Sequence, residues 1–433
     1  MVNKLKYKEI LASSVGSGLE YYDFLIFGFF SPIFAPLFFP AENIFLSVLW
    51  GYAAFAVGFI ARPIGGVIFG HIGDRKGRKA ALSSSIFFMG FSTLLIGVLP
   101  TYDSIGIIAP ILLIIARIIQ GISIGGEFAG GTVFSVEHGS SANRTGFAGG
   151  IVVFGAMSGT LSASIANYVV ANSSWMTWRY PFILGFCISI VGLYIRRKIV
   201  ETSVFEKVKK ENKILKYPIL GGIKKYPKQI ACVAALNWFG VSIFIAHWVF
   251  LPTYLKATLP HISEVLIDIS IPFSIFICML TVLVTGYISD TKAHRASIVK
   301  VAVPCLASFL LVMYLNLSSL TVVGFLLCQF IFAILNGIWA SAVRTYTVEI
   351  FSTAEVRYSS YAFGNNLGEI VGGFTPLIAV LLTSLHGGNK LLGLFIFLIG
   401  VLALFAIHRI SPPLNNRAKN ILMSQATIIK HNT

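Results

Sequence analysis

Two segments decide the reading: GHIGDRKGRK at residues 70–79 and GYISDTKAHR at residues 286–295. Each sets a glycine four residues before an aspartate and follows it with basic residues. Gly70 and Gly286, like Asp74 and Asp290, stand 216 residues apart in a chain of 433. Gln120-Gly121 and Asn336-Gly337 keep the same offset, and Pro32 and Pro40 recur as Pro252 and Pro260 at an offset of 220. A chain that echoes itself at half its length builds two related halves.

The segments around these echoes are apolar. Hydrophobic residues make up 56% of the chain, about 242 residues, and a bilayer-spanning helix needs roughly 20. Charged residues are only 12% and the mean hydropathy is +0.82, which excludes a soluble enzyme, a disordered chain and a secreted disulfide scaffold. The five cysteines fall inside apolar stretches and read as small buried hydrophobes. The expectation is an all-α polytopic membrane protein with twelve transmembrane helices in two pseudo-symmetric six-helix halves. Apolar runs place them near 12–38, 47–70, 80–99, 104–133, 145–170, 179–197, 229–255, 264–288, 296–315, 319–346, 357–385 and 389–409. The units are then 1–197, a central loop 198–228, 229–410, and a tail 411–433. The basic start resembles a signal peptide, but its apolar run carries Glu20 and Asp23 without a small-residue cleavage site. It reads as an uncleaved first helix.

The net charge of +16 invites a nucleic-acid reading, which its distribution removes. With both termini cytoplasmic, all 33 Lys and Arg fall in inner loops except Arg62, Arg117, Arg179, Lys256 and Lys390. This is positive-inside topology in a multi-pass protein of the cytoplasmic (inner) membrane. Arg344 belongs to the inner set on this count. The central loop spaces Val204, Phe205 and Val208 helically among lysines; it is either an interfacial helix on the anionic leaflet or a solvated linker.

A charge at the centre of a membrane helix costs roughly 2.5–3.5 kcal/mol on insertion scales. The first half nevertheless embeds Glu20, Asp23, Arg62, Arg117 and Glu127. Glu20 and Asp23 are about 60° apart on a helix, so they are expected to share a face. Two readings stand: a static ion pair pinning the first helix to the second and fourth, or a proton-coupling site. A carboxylate that alternates between an arginine and an apolar pocket changes its proton affinity. Asp23 and Glu20 are the first candidates, with Arg117 as partner and Glu127 beside them; Gln120, near the face of Glu127, is expected to line the substrate cavity or pack a partner helix. Arg62 is equally suited to hold a substrate carboxylate bidentately. Gly121, Gly125, Gly126, Gly155, Gly159 and Ala163 read as close helix packing. In the second half His247 and Glu369 are embedded, and Glu369 either takes a substrate's cationic group or pairs with His247. Tyr22, Trp248, Asn365 and Asn366 complete the expected cavity lining.

Residues 70–79 resemble the loop signature of the major facilitator superfamily. GSGLEYYDF (16–24), ARPIG (61–65), RIIQGISIGGE (117–127), WRYPF (178–182) and ETSVF (201–205) resemble its metabolite:proton symporter subfamily, which includes proline/betaine and 2-oxoglutarate carriers. Ser17, Tyr21 and Ser203 depart from the subfamily's usual Asn, Trp and Pro, Thr291 and Ala293 degrade the second loop signature, and the subfamily pattern gives no acid at 369. The resemblance implies alternating access, with Gly70, Asp74, Arg75, Gly77, Arg78 and Asp290 latching one end and Glu137, Arg144, Glu349 and Arg357 as further gates. The expected function is proton-coupled symport of a small polar metabolite, a zwitterion such as proline or betaine ahead of a carboxylate. The alternatives are a non-transporting receptor or an exporter of the same fold. No HExxH or P-loop pattern is present, so neither an enzyme nor direct ATP drive is expected. No cofactor, metal or nucleic acid is expected; the partners are substrate, proton and lipid bilayer, and the oligomeric state is unread.

Overall fold

The computed structural model describes residues 7–140, 143–197, 201, 206, 210–211, 218–291, 295–385 and 387–410. The side chains of Asp74, Arg78 and Glu127, like Val204, Phe205, Val208 and the tail 411–433, lie outside the described residues. Every regular element described is helical. The long helices are α1 (Tyr7–Phe38), α2 (Ile44–Arg75), α3 (Arg78–Val98), α4 (Ile108–Ser140), α5 (Thr145–Ala171) and α6 (Arg179–Arg197), then α7 (Pro227–Thr258), α8 (Glu264–Thr291), α9 (Arg295–Leu315), α10 (Val322–Glu349), α11 (Ala354–Thr383) and α12 (Gly388–His408). Eleven are long and apolar enough to cross a membrane, and Arg179–Ile195 is a shorter apolar helix. A short helix, Pro218–Lys225, precedes α7.

Packing repeats at a shift of six helices. α1 packs on α5 as α7 does on α11; α2 packs on α4 as α8 does on α10; α3 packs on α6 as α9 does on α12. The halves meet chiefly where α5 packs on α8 and α2 on α11. Side chains such as Phe88, Val191, Phe273 and Phe405 are exposed on the outer surface, as lipid-facing residues must be.

Two helices expected as single runs are interrupted. α7 carries a π-helical stretch at Ile245–Phe250. α11 breaks at Phe374, between Gly373 and Thr375, just before Pro376, since proline lacks the N–H that would continue the ladder. Both breaks border the region between the halves, where irregular membrane backbone is tolerated.

The glycine runs set helix distance, and thereby the position of the embedded arginines. A Cβ on Gly121 would collide with the carbonyl oxygen of Gly58, one on Gly125 with that of Arg62, and one on Gly65 with that of Ile122. α2 and α4 therefore touch backbone to backbone, as small residues allow in membranes. Gly121→Val must separate them. Overpacking of this kind costs about 1–3 kcal/mol, so the expected outcome is a thermal transition in detergent several degrees below wild type.

Candidate functional site

A cavity of about 60 Å³ lies between the halves, room for a few waters at about 10–15 Å³ each. Glu20, Arg62, Arg344 and Glu369 bring charge to its wall; Tyr21, Phe24, Phe59, Phe128, Phe244 and Trp339 bring aromatic faces. Arg62 Nη1 on α2 donates to Glu369 Oε2 on α11 at 2.5 Å, with side-chain exposures of 8% and 3%. The Arg62 guanidinium also lies over Phe24 and Phe59, 4.2 and 4.3 Å from their ring centres, a cation–π arrangement. Glu369 Oε1 accepts from Asn365 Nδ2 at 2.8 Å. Arg344 Nη1 donates to Asn365 Oδ1 at 3.0 Å and to Asn237 Oδ1 at 2.8 Å, and its guanidinium stands 4.4 Å from the Phe128 ring centre. The result is one buried chain from Arg62 through Glu369, Asn365 and Arg344 to Asn237. Charges out of water need partners of this kind.

Arg344 is the residue that loop counting misplaced. It lies within α10 and is buried, on the face of Asn336 and Ala340 at four-residue steps. That spacing inside the apolar run 319–346 was the available signal.

Glu20 lines the cavity, but Asp23 does not share its face. Asp23 turns toward α3 and α6, where its Oδ2 accepts from Ser189 Oγ at 3.0 Å and a Cβ on Gly185 would meet its Oδ1. The 60° step between the two acids is enough to send them to different neighbours on so crowded a helix. The expected Asp23–Arg117 pair is not formed either. Arg117 donates to Gln120 Oε1 and, at 3.2 Å, to the Phe55 carbonyl oxygen, with its guanidinium 4.2 Å from the Phe27 ring centre. Gln120 Nε2 donates to the Asp23 carbonyl oxygen at 3.0 Å and to Thr93 Oγ1 at 2.8 Å. The glutamine is thus the intermediary between the arginine and the Asp23 segment.

Several expected lining residues are engaged elsewhere. Tyr22 Oη donates to the Pro181 carbonyl oxygen at 2.9 Å. Trp248 Nε1 donates to Ser274 Oγ at 3.2 Å. His247 sits 2.9 Å from Gln329 Oε1 through Nε2 and stacks on Phe332 at 3.7 Å, so the alternative Glu369–His247 pair is absent. His247 and Trp248 lie in the π-helical stretch, whose altered register the apolar pattern does not reveal. Asn366 donates to the Gly125 carbonyl oxygen at 2.6 Å and so ties α11 to α4.

At the end of the bundle that carries the α2–α3 and α8–α9 loops, here the basic end, charged bonds join the halves. Asp290 accepts from the backbone N–H groups of Gly146 and Phe147, both at 2.8 Å, capping α5 where its free donors and dipole favour an anion. Arg295 pairs with Asp290 and with Glu349, at 2.9 Å for the latter, and donates to Thr145 Oγ1 at 2.8 Å. Thr145 Oγ1 in turn donates to Glu349 at 2.8 Å. Arg357 reaches Glu137 at 3.3 Å, and Tyr358 Oη donates to the Gly126 carbonyl oxygen at 2.7 Å. Arg144 instead lies over the Tyr287 ring, 5.1 Å from its centre. On α2, Gly70 packs near Ser359, Arg75 is 3.4 Å from His71 Nε2, and Gly77 takes a φ of 106° that favours glycine where α3 begins.

Two related six-helix halves with a charged cavity between them and a bonded closure at one end are the architecture of a membrane transporter. The sequence model described as Major Facilitator Superfamily matches residues 16–373. The chain is 32% identical over 421 residues to the proline/betaine transporter of Escherichia coli (strain K12), covering 92% of this chain and 82% of that one. It is 31% identical over 420 residues to the inner membrane metabolite transport protein YhjE of the same organism, covering 92% and 93%. The structure of the proton:xylose symporter XylE bound to 6-bromo-6-deoxy-D-glucose shares the fold at a TM-score of 0.76 and 16% identity, covering 94% of this chain and 96% of that one. The chain belongs to the major facilitator superfamily and is a multi-pass membrane transporter, not an enzyme.

Two measurements probe this geometry. Removing one member of a buried ion pair costs about 3–5 kcal/mol, whereas apolar replacement of both is often neutral. Glu369→Gln is therefore expected to lower the thermal transition clearly, and Arg62→Met with Glu369→Leu to restore much of it. Asp290→Ala removes a cap, worth about 0.5–2 kcal/mol, and the charge facing Arg295. Spin labels at Asn143 and Thr291 should then show a longer and broader distance distribution than in the parent protein.

Proposed function

We propose that the protein is a proton-coupled symporter that brings a small zwitterion, of the proline or betaine type, into the cell. The cavity wall carries this reading: Arg62 and Arg344 face Glu20 and Glu369 within one aromatic-lined space. A molecule bearing both a carboxylate and an ammonium satisfies both signs, whereas a dicarboxylate leaves Glu369 facing like charge. Trp339, Phe244 and Tyr21 add ring faces suited to an alkylated ammonium. The name of the E. coli proline/betaine transporter supports the same class.

In this mechanism the basic end faces the cytoplasm, together with both termini, a reading that the lysine and arginine distribution supports. Its Asp290–Arg295–Glu349 and Glu137–Arg357 bonds break when the cavity opens inward. Glu20 in the wall and Asp23 one turn further along α1 are the proton carriers, and Gln120 and Arg117 hold the segment between them. A proton on a carboxylate removes a charge that otherwise opposes closure of the loaded cavity.

The test is uptake of labelled proline, betaine, 2-oxoglutarate and shikimate into proteoliposomes under an inward proton gradient. Accumulation of a zwitterion, abolished by a protonophore and reduced at least about tenfold (1.4 kcal/mol in the barrier) in Asp23→Asn or Glu20→Gln, is expected. Accumulation that ignores the protonophore removes proton coupling, accumulation of 2-oxoglutarate alone removes the zwitterion, and binding without flux favours a sensor.

A further inference from the structure

The two cavity arginines are held in different ways. Arg344 is fixed: its guanidinium is hydrogen-bonded to Asn237 on α7 and Asn365 on α11, so both of its amide partners belong to the second half. Arg62 is held by one carboxylate oxygen of Glu369 and by the faces of Phe24 and Phe59, and its buried Nε has no hydrogen-bond partner. Ring faces orient a guanidinium without fixing its hydrogen bonds. Glu369 resembles Arg344 in this respect, because Asn365 on its own helix holds Oε1 while Oε2 faces Arg62. The second half thus presents a preformed pair of opposite charges, Arg344 and Glu369, joined through Asn365. The first half contributes a guanidinium that can leave.

Burial of a carboxylate without a counter-charge costs several kcal/mol. Any state in which the halves close on an ionised Glu369 therefore needs a cation at Oε2. We propose that Arg62 is a built-in substitute for the substrate's cationic group: it neutralises Glu369 when the halves close without substrate, and the ammonium of a zwitterion displaces it when they close around one. Arg344 takes the substrate carboxylate. The inference rests on the zwitterion-transport reading and assigns Arg62 a positioning and competing role within it.

The consequence is a separation of two fluxes. Net uptake requires the carrier to return without substrate, so it requires Arg62. Exchange of internal for external substrate keeps an ammonium at Glu369 on both legs, and so depends on Arg62 much less. A purely structural role for Arg62 would lower both fluxes together.

The experiment compares initial rates of labelled proline entry into unloaded proteoliposomes with entry into vesicles preloaded with unlabelled proline. Wild type, Arg62→Gln and Arg62→Lys are run side by side. Arg62→Gln is expected to raise the ratio of exchange to net uptake about tenfold or more, and Arg62→Lys, which keeps a cation, to bring it part of the way back. Should Arg62→Gln fail to reconstitute, an elevated ratio in Arg62→Lys alone, whose shorter ammonium reaches Glu369 less well, carries the same conclusion. A ratio that stays at the wild-type value in the reconstituted variants overturns the role of Arg62 while leaving zwitterion transport intact. Wild-type vesicles that neither exchange nor accumulate proline or betaine overturn the transport reading itself, and this inference with it.

Discussion

Glu369 and Arg62 meet in a space where neither charge is tolerable alone, and much of the surrounding structure serves that meeting. A carboxylate and a guanidinium out of water each carry a desolvation cost of several kcal/mol, and only close pairing with further hydrogen bonds offsets it. Arg62 reaches the boundary between the halves because α2 lies against α4 with glycine at the crossings, so that even its own carbonyl oxygen touches the Gly125 position. Glu369 is presented by α11 just ahead of the break at Phe374, with Asn365 one turn before it. The ion pair bridges two packing units that otherwise contact each other mainly through α2–α11 and α5–α8. Because its partners come from different halves, its geometry depends on how those halves sit.

The two ends of the bundle are sealed by different chemistry. At the basic end the closure is made of carboxylates, arginines, hydroxyls and helix-terminal N–H groups. Toward the opposite end, Gly28 packs against Phe55 and Val249, and Gly373 sits against the ring of Phe59. Hydrogen bonds to charged groups contribute about 1.5–3 kcal/mol each net, because water replaces them when they break. A polar seal of that kind can open by exchanging its bonds for bonds to solvent. An apolar seal is non-directional and excludes water instead.

The fold was legible because its signals are additive over long windows. Each span is a run of apolar residues, and all twelve expected positions fall on helices in the structure. The offset linking residues 70–79 to 286–295 also falls on a contact between the halves: Asp290 caps α5. What escaped was set by single rotations and single residues. Arg344 was counted with the loops because positive-inside bookkeeping assigns any cation near a span end to the water side. The divergence of Glu20 and Asp23 turns on 60° of helix, and the engagement of Arg117 by Gln120 depends on side-chain reach. The π-helical stretch that carries His247 and Trp248 leaves no mark on apolar periodicity. Glu369 and Arg62 were each visible as embedded charges, but their partnership spans 307 residues and needed the packing of the halves.

The repeat also shows that the architecture is symmetric while the chemistry is not. At the 216-residue offset, Glu20, Asp23, Arg62 and Arg117 correspond to Leu236, Phe239, Cys278 and Ala333, whereas Arg344 and Glu369 correspond to Phe128 and Val153. Each half has kept the helices and discarded the other's charges. Phe128 and Val153 nonetheless remain in the cavity wall, and the Arg344 guanidinium lies over the ring of Phe128, its own counterpart in the repeat. Under the proposed mechanism this asymmetry separates two tasks that would interfere if shared. The carboxylates of α1 lie in the first half, where Gln120 and Ser189 hold the Asp23 segment. The fixed pair that recognises a zwitterion lies in the second. Arg62 reaches across to Glu369 within the cavity, as Glu137 meets Arg357 at the basic end, so the state of one half is felt in the other through ion pairs at both levels.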